Sequence, residues 1–512
     1  MDLSGARKKE SSILIRGRYS AAQLRIAFSL EIMVRGSAPG SLHSSLVYCR
    51  VMNRLSLAIT ILIISSVASA QNPRPDFGPA QDEALKLLVH LVKIDTSDPP
   101  GNESQAARYI QQVLQGEGID TEIVEPVAGR SSVIARLKGN GRKKPLLIMG
   151  HTDVVPVDRS HWTVEPFAGE IKDGILYGRG ALDDKSFVAS NMEILLLLHR
   201  LRIPLSRDVI FLAEASEEAS SAAGMKALVD KYWDKLACEY ALNEGGGALV
   251  ENEKVKYMGV GAAEKLPRGL VLRATGSSGH GSVPRTDNAV IHLAAAVAKA
   301  GNWETPARLN DITREFFMRL ATISSPDEAE WYRNVEDPAV QEKLRLAQPA
   351  YYSMLRTSVV PTMLKAGIKS NVIPPTAEAT LDVRALPDED LEKFRQTLIQ
   401  LINDPQIQVV PENESFSMVP SPPSRLNTEM FAALEAAQKQ VFPAAITLPL
   451  MATGATDSSF LRAKGVQAYG LGVPRKEEER RTVHGNDERV EVKWLGPFVR
   501  YLYVAVNQVA AQ

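Results

Sequence analysis

Two patterns of apolar residues alternate along this chain. Short continuous apolar runs fit strands buried on both faces, and stretches with apolar residues every three or four positions fit helices packed along one side. Helices are predicted over Pro79 to Val92 and Glu103 to Leu114, the second closed by Gly116 as its C-cap, and strands over Thr121 to Val124 and Ser132 to Leu137. Leu146 to Gly150 is the strand around which the rest is organised. A helix over Phe187 to His199 and strands over Val209 to Ala213 and Tyr240 to Leu242 follow. Strands alternating with helices predict an α/β layer with a mostly parallel central sheet.

Beyond Glu264 the order changes. Strand-like Leu270 to Ala274, a helix over Asn288 to Ala300, a strand over Thr376 to Val383, a helix over Asp388 to Ile402 and a strand over Ile407 to Val410 predict a small α+β, ferredoxin-like unit. The charged, mostly helical stretch 303–366 reads as an insertion within it. Pro420-Ser421-Pro422-Pro423-Ser424 marks a linker back to the first layer, which is completed by a helix from Thr428 to Val441, a strand from Gln467 to Leu471 and a helix from Trp494 to Val506. The expected division is therefore 76–262 with 424–512 as one domain and 263–418 as a second. Two domains suit 512 residues, because single cores stop growing near ~250–300.

Acidic and basic residues nearly cancel, at a formal net charge of -1, so no surface-wide field favours nucleic acid or anionic lipid and no nucleic-acid partner is expected. Met52 to Ala70 has the form of a secretory signal: Arg54, the apolar run Leu55 to Ile64, then Ala68-Ser69-Ala70. That run is shorter than the ~20 residues of a spanning helix, so cleavage and export to the periplasm or exterior are expected, without a stable membrane span. On this reading Met52 is the initiator and residues 1–51 are a non-native extension. Of the only two cysteines, Cys49 is lost with the leader and Cys238 has no internal partner.

The candidate chemistry lies just beyond the strands. His151 and Asp153 follow the organising strand, Asp183 and Asp184 sit in a loop opened by Gly178-Arg179-Gly180, Glu217 and Glu218 follow Val209 to Ala213, Glu244 follows Tyr240 to Leu242, and His484 precedes the last helix. Ligands of open α/β sheets bind beyond the carboxyl ends of the strands. One acidic pair alone is most simply a solvated turn, but three acidic clusters and a His-x-Asp at one edge describe a site. Nitrogen and oxygen donors without cysteine suit a catalytic rather than a structural zinc site. Two metals need a shared ligand, and Asp183 can bridge them, leaving His151 with Glu244 for one ion and Glu218 with His484 for the other. Glu217 is then free to act as general base, and Asp153 to orient His151. His43, His90, His161, His199 and His292 lack this setting and are read as structural.

GHTDVVPV, GRGALDDK, SEEASS, LNEGG and the late His484, in this order over nearly all of the mature chain, resemble the motifs of the zinc metallopeptidase family that contains aminoacylase, glutamate carboxypeptidase, acetylornithine deacetylase and succinyl-diaminopimelate desuccinylase. The resemblance implies a dizinc catalytic domain, with Co2+ or Mn2+ as substitutes, and an inserted lid that many members use to dimerise. It assigns the same five ligands and the same base, and implies a cis peptide after Asp183. Where members offer Asp-Glu or a lone Asp this chain has Asn243-Glu244, and Glu244 is the expected ligand. His280, in Gly279-His280-Gly281-Ser282, matches the family's transition-state histidine. Asn371 and Arg384 match positions that bind the substrate's carbonyl and carboxylate, and Gly454 matches a substrate-lining turn. The implied activity is hydrolysis of an amide bond next to a free carboxylate, in a small peptide or an N-acyl amino acid. A homodimer through the lid is implied too, unless the insertion from Trp303 covers that edge. The rival reading is a non-catalytic peptide-binding protein on the same fold, which would be expected to have lost ligands or the base.

Overall fold

The computed structural model describes residues 75–218, 223–412 and 421–512, so the extension 1–51, the signal at 52–70, Cys49 and His43 lie outside the described residues. Helices α1 (Phe77–Val92) and α2 (Glu103–Gly116) precede strands β1 (Thr121–Val127) and β2 (Arg130–Leu137). The C-cap expected at Gly116 falls two residues later. Gly118, at φ 78°, reverses the chain so that the Ile119 N–H returns to the Leu114 carbonyl at 3.0 Å. Next come β3 (Leu146–His151), α3 (Lys185–Arg200), β4 (Val209–Glu214) and β5 (Tyr240–Asn243). Every residue of β3 is buried, between parallel β4 and parallel β5. Burial on both faces is what the unbroken apolar run provides for. Helix α3, which covers β3, is buried without a break from Lys185 to Leu198.

Two further strands, β6 (Gly247–Glu251) and β7 (Lys254–Glu264), complete this half of the layer. The small sheet and its helices are then built from β8 (Leu270–Thr275), α4 (Ala289–Gly301), β10 (Ser358–Ala366), β12 (Thr376–Ala385), α5 (Leu391–Ile402) and β13 (Ile407–Pro411), and beside it the short β9 (Gly279–His280) and β11 (Val372–Ile373) pair as a separate ribbon. Its strand order β10-β12-β8-β13 is antiparallel throughout. Helices α4 and α5 pack on one face over a core of its own, around Leu272, Leu293, Leu381 and Leu398. Helix α6 (Glu429–Val441), β14 (Ile446–Ala452), β15 (Gln467–Gly470), β16 (Pro474–Arg475) and α7 (Leu495–Ala510) rejoin the large layer. Among the described residues the large sheet has ten strands, in the order β1-β2-β4-β3-β5-β15-β7-β6-β16 with β14 beside β7, and its centre is mostly parallel.

The stretch 303–366 departs from its expected form in two ways. It is helical only as far as Met354, because Ser358–Ala366 is a strand of the small sheet. Its helical part also does not belong to that sheet. Ile312, Phe316, Phe317, Leu320, Tyr332 and Leu344 join the core of the large layer, and Arg319 donates to the Thr447 carbonyl of β14 at 3.0 Å. Aromatic residues at helical spacing need a large apolar surface to pack on, and β14 with its neighbours supplies it. Strands β7 and β14 were not expected. The signal of β7 is diluted by Gly259 and Gly261, where a Cβ would lie 2.5 Å from the Leu450 side chain and 2.4 Å from the Gly245 carbonyl oxygen.

Candidate metal centre and active site

His151 is the last residue of β3. Its Nδ1 lies 3.0 Å from the Asp153 carbonyl oxygen and 3.6 Å from the Asp153 carboxylate, which leaves Nε2 facing Asp183 Oδ1 at 3.0 Å. An Nδ1–H so engaged keeps the Nε2 lone pair for another partner. The other Asp183 oxygen is 3.2 Å from His484 Nε2, and that nitrogen is 2.8 Å from Glu218 Oε1. One carboxylate thus stands between two imidazoles and offers an oxygen to each. Donor atoms of His151, Asp183 and Glu218 lie within 4.8 Å of one another, as do those of His151, Glu217 and Glu244. Asn243 turns away, its Nδ2 donating to Ser458 Oγ at 3.1 Å, so Glu244 is the residue of that pair facing the cluster.

Asp153 does more than orient an imidazole. Its carboxylate accepts the N–H of Glu217 at 3.1 Å and of Glu218 at 2.9 Å, tying the Glu-Glu turn to the end of β3. Ser216 and His484 carry left-handed φ angles of 69° and 57°, local strain placed at the edges of the site.

Five carboxylates crowd two imidazoles here, and their protonation reflects it. Burial, then the neighbouring Glu244, pushes the Glu217 carboxyl well above the usual carboxylate range. Burial and Asp183 lift Glu244 to about 8. Contact with Asp183 and then Glu218 raises the His484 imidazole to about 10. Although burial opposes it, Asp153 and Asp183 raise His151 as well, and the two imidazoles hold Asp183 far below its ordinary value. Groups packed this closely retain protons because negative charge is in excess, and divalent cations among the same atoms relieve that excess. Imidazole nitrogens and carboxylate oxygens around a shared Asp fit divalent metal ions.

The loop carrying Asp183 is held by a residue that sequence reasoning missed. Glu488 is fully buried and accepts the N–H of Gly180, Leu182 and Asp183 at 2.9, 2.8 and 3.0 Å, while pairing with Arg179 at 2.7 Å. In Asn486-Asp487-Glu488-Arg489 it reads as one member of a solvated charged turn, so no local signal marks it. The Asp183–Asp184 peptide is cis. Glu214 and Asp457, also missed, are buried carboxyls whose values burial raises, Glu214 to about 7 and Asp457 well above its ordinary range.

The residues assigned to the small sheet are arranged differently. Strands β9 and β11 pair His280 with Val372, and the Gly281 N–H donates to the Asn371 carbonyl at 2.8 Å, so His280 and Asn371 share one exposed ribbon. His280 Nδ1 accepts the Ser282 N–H at 3.1 Å, so a neutral ring carries its proton on Nε2. Arg384, half-buried on β12, places Nε 2.9 Å from Asp382. Among the described residues none of these three makes a hydrogen bond or ion pair with the His151–His484 cluster. Gly454 lies in an open loop where a Cβ would meet nothing within 4 Å. Of the remaining histidines, His90 stacks on Tyr109 and His292 pairs with Asp404 at 2.6 Å.

Comparison with known proteins agrees with this geometry. The model of peptidase family M20/M25/M40 matches residues 147–508. Human N-fatty-acyl-amino acid synthase/hydrolase PM20D1 is 29% identical over 451 residues, covering 84% of this chain and 87% of that protein. Aminoacylase-1 of Sus scrofa is 27% identical over 420 residues, covering 80% and 90%. The crystal structure of the M20 family metallo-carboxypeptidase Sso-CP2 from Sulfolobus solfataricus shares the fold at a TM-score of 0.64 and 19% identity, over 84% of this chain and 100% of that one. Since the matched span runs through both sheets and every residue of the donor cluster from His151 to His484, the chain belongs to peptidase family M20/M25/M40, a metal-dependent family of peptidases and amidohydrolases.

Proposed function

We propose that this chain is an exported, zinc-dependent hydrolase that cleaves an amide bond next to a free carboxylate, in small peptides or N-acyl amino acids. The observation that carries this reading is Asp183 held between His151 and His484, with Glu217 beside the donor atoms of His151 and Glu244. Two ions, zinc with cobalt or manganese as substitutes, fit at His151, Asp183 and Glu244 and at Asp183, Glu218 and His484. When bound they supply an acidified water and a polarised carbonyl. Glu217 takes a proton from the attacking water and passes it to the leaving nitrogen. Asp153 keeps that carboxyl in place through the Glu217 N–H. Nε2–H of His280 serves as a donor to the oxygen that gains charge, Asn371 holds the substrate carbonyl, and the fork of Arg384 suits the free carboxylate. Gly454 belongs to the turn lining the substrate.

The names of the relatives support the acyl-amino-acid side of this reading, and that of the solved structure the carboxypeptidase side. Export rests on the signal at 52–70. A second copy fits at the small sheet. Among the described residues strand β10 is paired on one side only and exposes Val360 at 51%, Met363 at 66% and Leu364 at 67%, and the inserted helices leave these residues open. An unpaired apolar edge favours strand addition.

The test is hydrolysis of dipeptides and N-acyl amino acids, each with a free or an amidated carboxyl terminus, before and after chelation and zinc restoration. Zinc-restored cleavage confined to the free acids is expected. A protein holding two zinc ions that cleaves none of them would favour the peptide-binding reading instead.

A further inference from the structure

Arg475 is a half-buried cation with no anion at ion-pair distance among the described residues; the Asp183 and Glu244 carboxylates bear on it only from farther away. It lies on β16 in register with Leu249 of β6, and its guanidinium makes one hydrogen bond, from Nη2 to the Gly246 carbonyl at 3.3 Å. Among the described residues no carboxylate pairs with it, although its neighbours are paired: Lys476 with Glu253 and Glu491, Arg480 with Glu477. Two glycines make room for it. A Cβ at Gly247 would lie 2.8 Å from Nη2, and one at Gly472 would lie 3.2 Å from Nη1. Removing a guanidinium from water without a counter-ion is costly, so an arginine accommodated in this way points to a partner that arrives from outside.

The guanidinium forms one wall of a cavity of about 120 Å³, whose other walls include Gly246, Gly247, Leu249, Tyr257 and Leu450. At ~30 Å³ per water, this space takes about four waters or a carboxylate on a short stem. Lys476, Glu477 and Arg480 also line the cavity, but Lys476 is paired with Glu253 and Glu491 and Arg480 with Glu477. Among the described residues Arg475 is therefore the one lining cation with no carboxylate at ion-pair distance, and beside Leu249, Tyr257 and Leu450 it suits an apolar stem that ends in an anion. Glu477 at the rim is neutralised by Arg480 and Arg481. The cavity begins two residues beyond Glu244, and all of its walls come from the large layer. The group assigned to the substrate's free carboxylate, Arg384, stands on the small sheet.

We infer that Arg475 is a specificity-determining residue that reads a second carboxylate, on the acyl side of the scissile amide. The preferred substrates are then dipeptides with an acidic first residue, or amino acids acylated by a short dicarboxylic acid. The acyl-side placement rests on the function proposed above, while the anion site itself rests on the cavity.

Two measurements separate them. The first compares kcat/KM for Glu-Xaa with Gln-Xaa dipeptides, and for glutaryl with valeryl amides of one amino acid, in the wild-type enzyme and in Arg475→Gln and Arg475→Lys. The wild type should favour the acidic member by about tenfold or more, Arg475→Gln should lose that preference while cleaving the neutral member at a similar rate, and Arg475→Lys should keep part of it. No acid preference in the wild type, or an equal fall for both members in Arg475→Gln at unchanged zinc content, would overturn the inference while leaving the hydrolase standing. The second is calorimetric titration of the zinc-loaded protein with glutarate and with valerate. Tighter glutarate binding that Arg475→Gln abolishes upholds the anion site even in a protein that hydrolyses nothing, and equal binding of the two acids removes it.

Discussion

The two sheets hold their chemistry in opposite ways. In the large sheet, His151, Glu217 and Glu244 leave the ends of strands buried on both faces and lie within reach of one another, and His151 also lies within reach of Asp183 and Glu218. In the small unit, His280 and Asn371 sit on an exposed two-residue ribbon, and Arg384 is occupied with Asp382. Burial over-determines the first set, so it is assembled before any ligand arrives. The second set makes no hydrogen bond or ion pair with the cluster among the described residues, and under the function proposed above a substrate would bring the two together.

The sharpest way to break this contrast is to remove the base. Glu217→Ala should lower kcat by about 10³-fold or more, with both metal ions retained on elemental analysis. Loss of metal along with activity would make Glu217 a ligand and end its assignment as base. In the small unit, His280→Ala should lower kcat by about 10²-fold, with KM and metal content nearly unchanged, the pattern of a donor engaged only in the transition state. An effect confined to KM would place His280 in ground-state binding and weaken the contrast.

Milder changes sharpen it. Replacing Leu364 on the exposed edge of β10 by lysine should shift a dimer towards monomer, by at least about tenfold in dissociation constant on sedimentation, without changing the melting temperature of the monomer. A chain that is monomeric before the substitution would rule out pairing at that edge. The smallest effect concerns the core behind the site. Both carboxyl oxygens of Glu193 on α3 are buried without a hydrogen-bond partner, and burial, then the charge of Glu83, raises it to about 8. The unfolded chain releases this proton near its ordinary pKa of ~4.3, so the stability due to the protonated form is complete below that pH and is lost as pH rises to about 8. Glu193→Gln should therefore melt roughly a few degrees higher at pH 8 and no higher at pH 4. A gain of equal size at both values would trace the effect to packing instead.

What could be read from the linear chain follows from local physics. Strands buried on both faces need continuous apolar runs, so β3, β4 and β5 were visible, and the acids and imidazoles that must follow such strands were visible with them. The ferredoxin-like order of the small unit was legible for the same reason, from its alternating strand and amphipathic helices. Other features exist only once distant segments meet. Strands β7 and β14 depend on glycines that allow close approach of neighbouring chains, a need that the apolar pattern does not record. The inserted helices could be seen to be amphipathic, but which sheet they cover was decided by the surface that β14 presents. Glu488 anchors a loop some three hundred residues earlier in the chain, and the lack of a direct ion pair for Arg475 among the described residues is a property of the folded cavity alone. Periodicity and residue type report what a segment must bury and what chemistry it can bear. Tertiary structure alone decides which buried charges find partners, because that depends on distances between residues far apart in sequence.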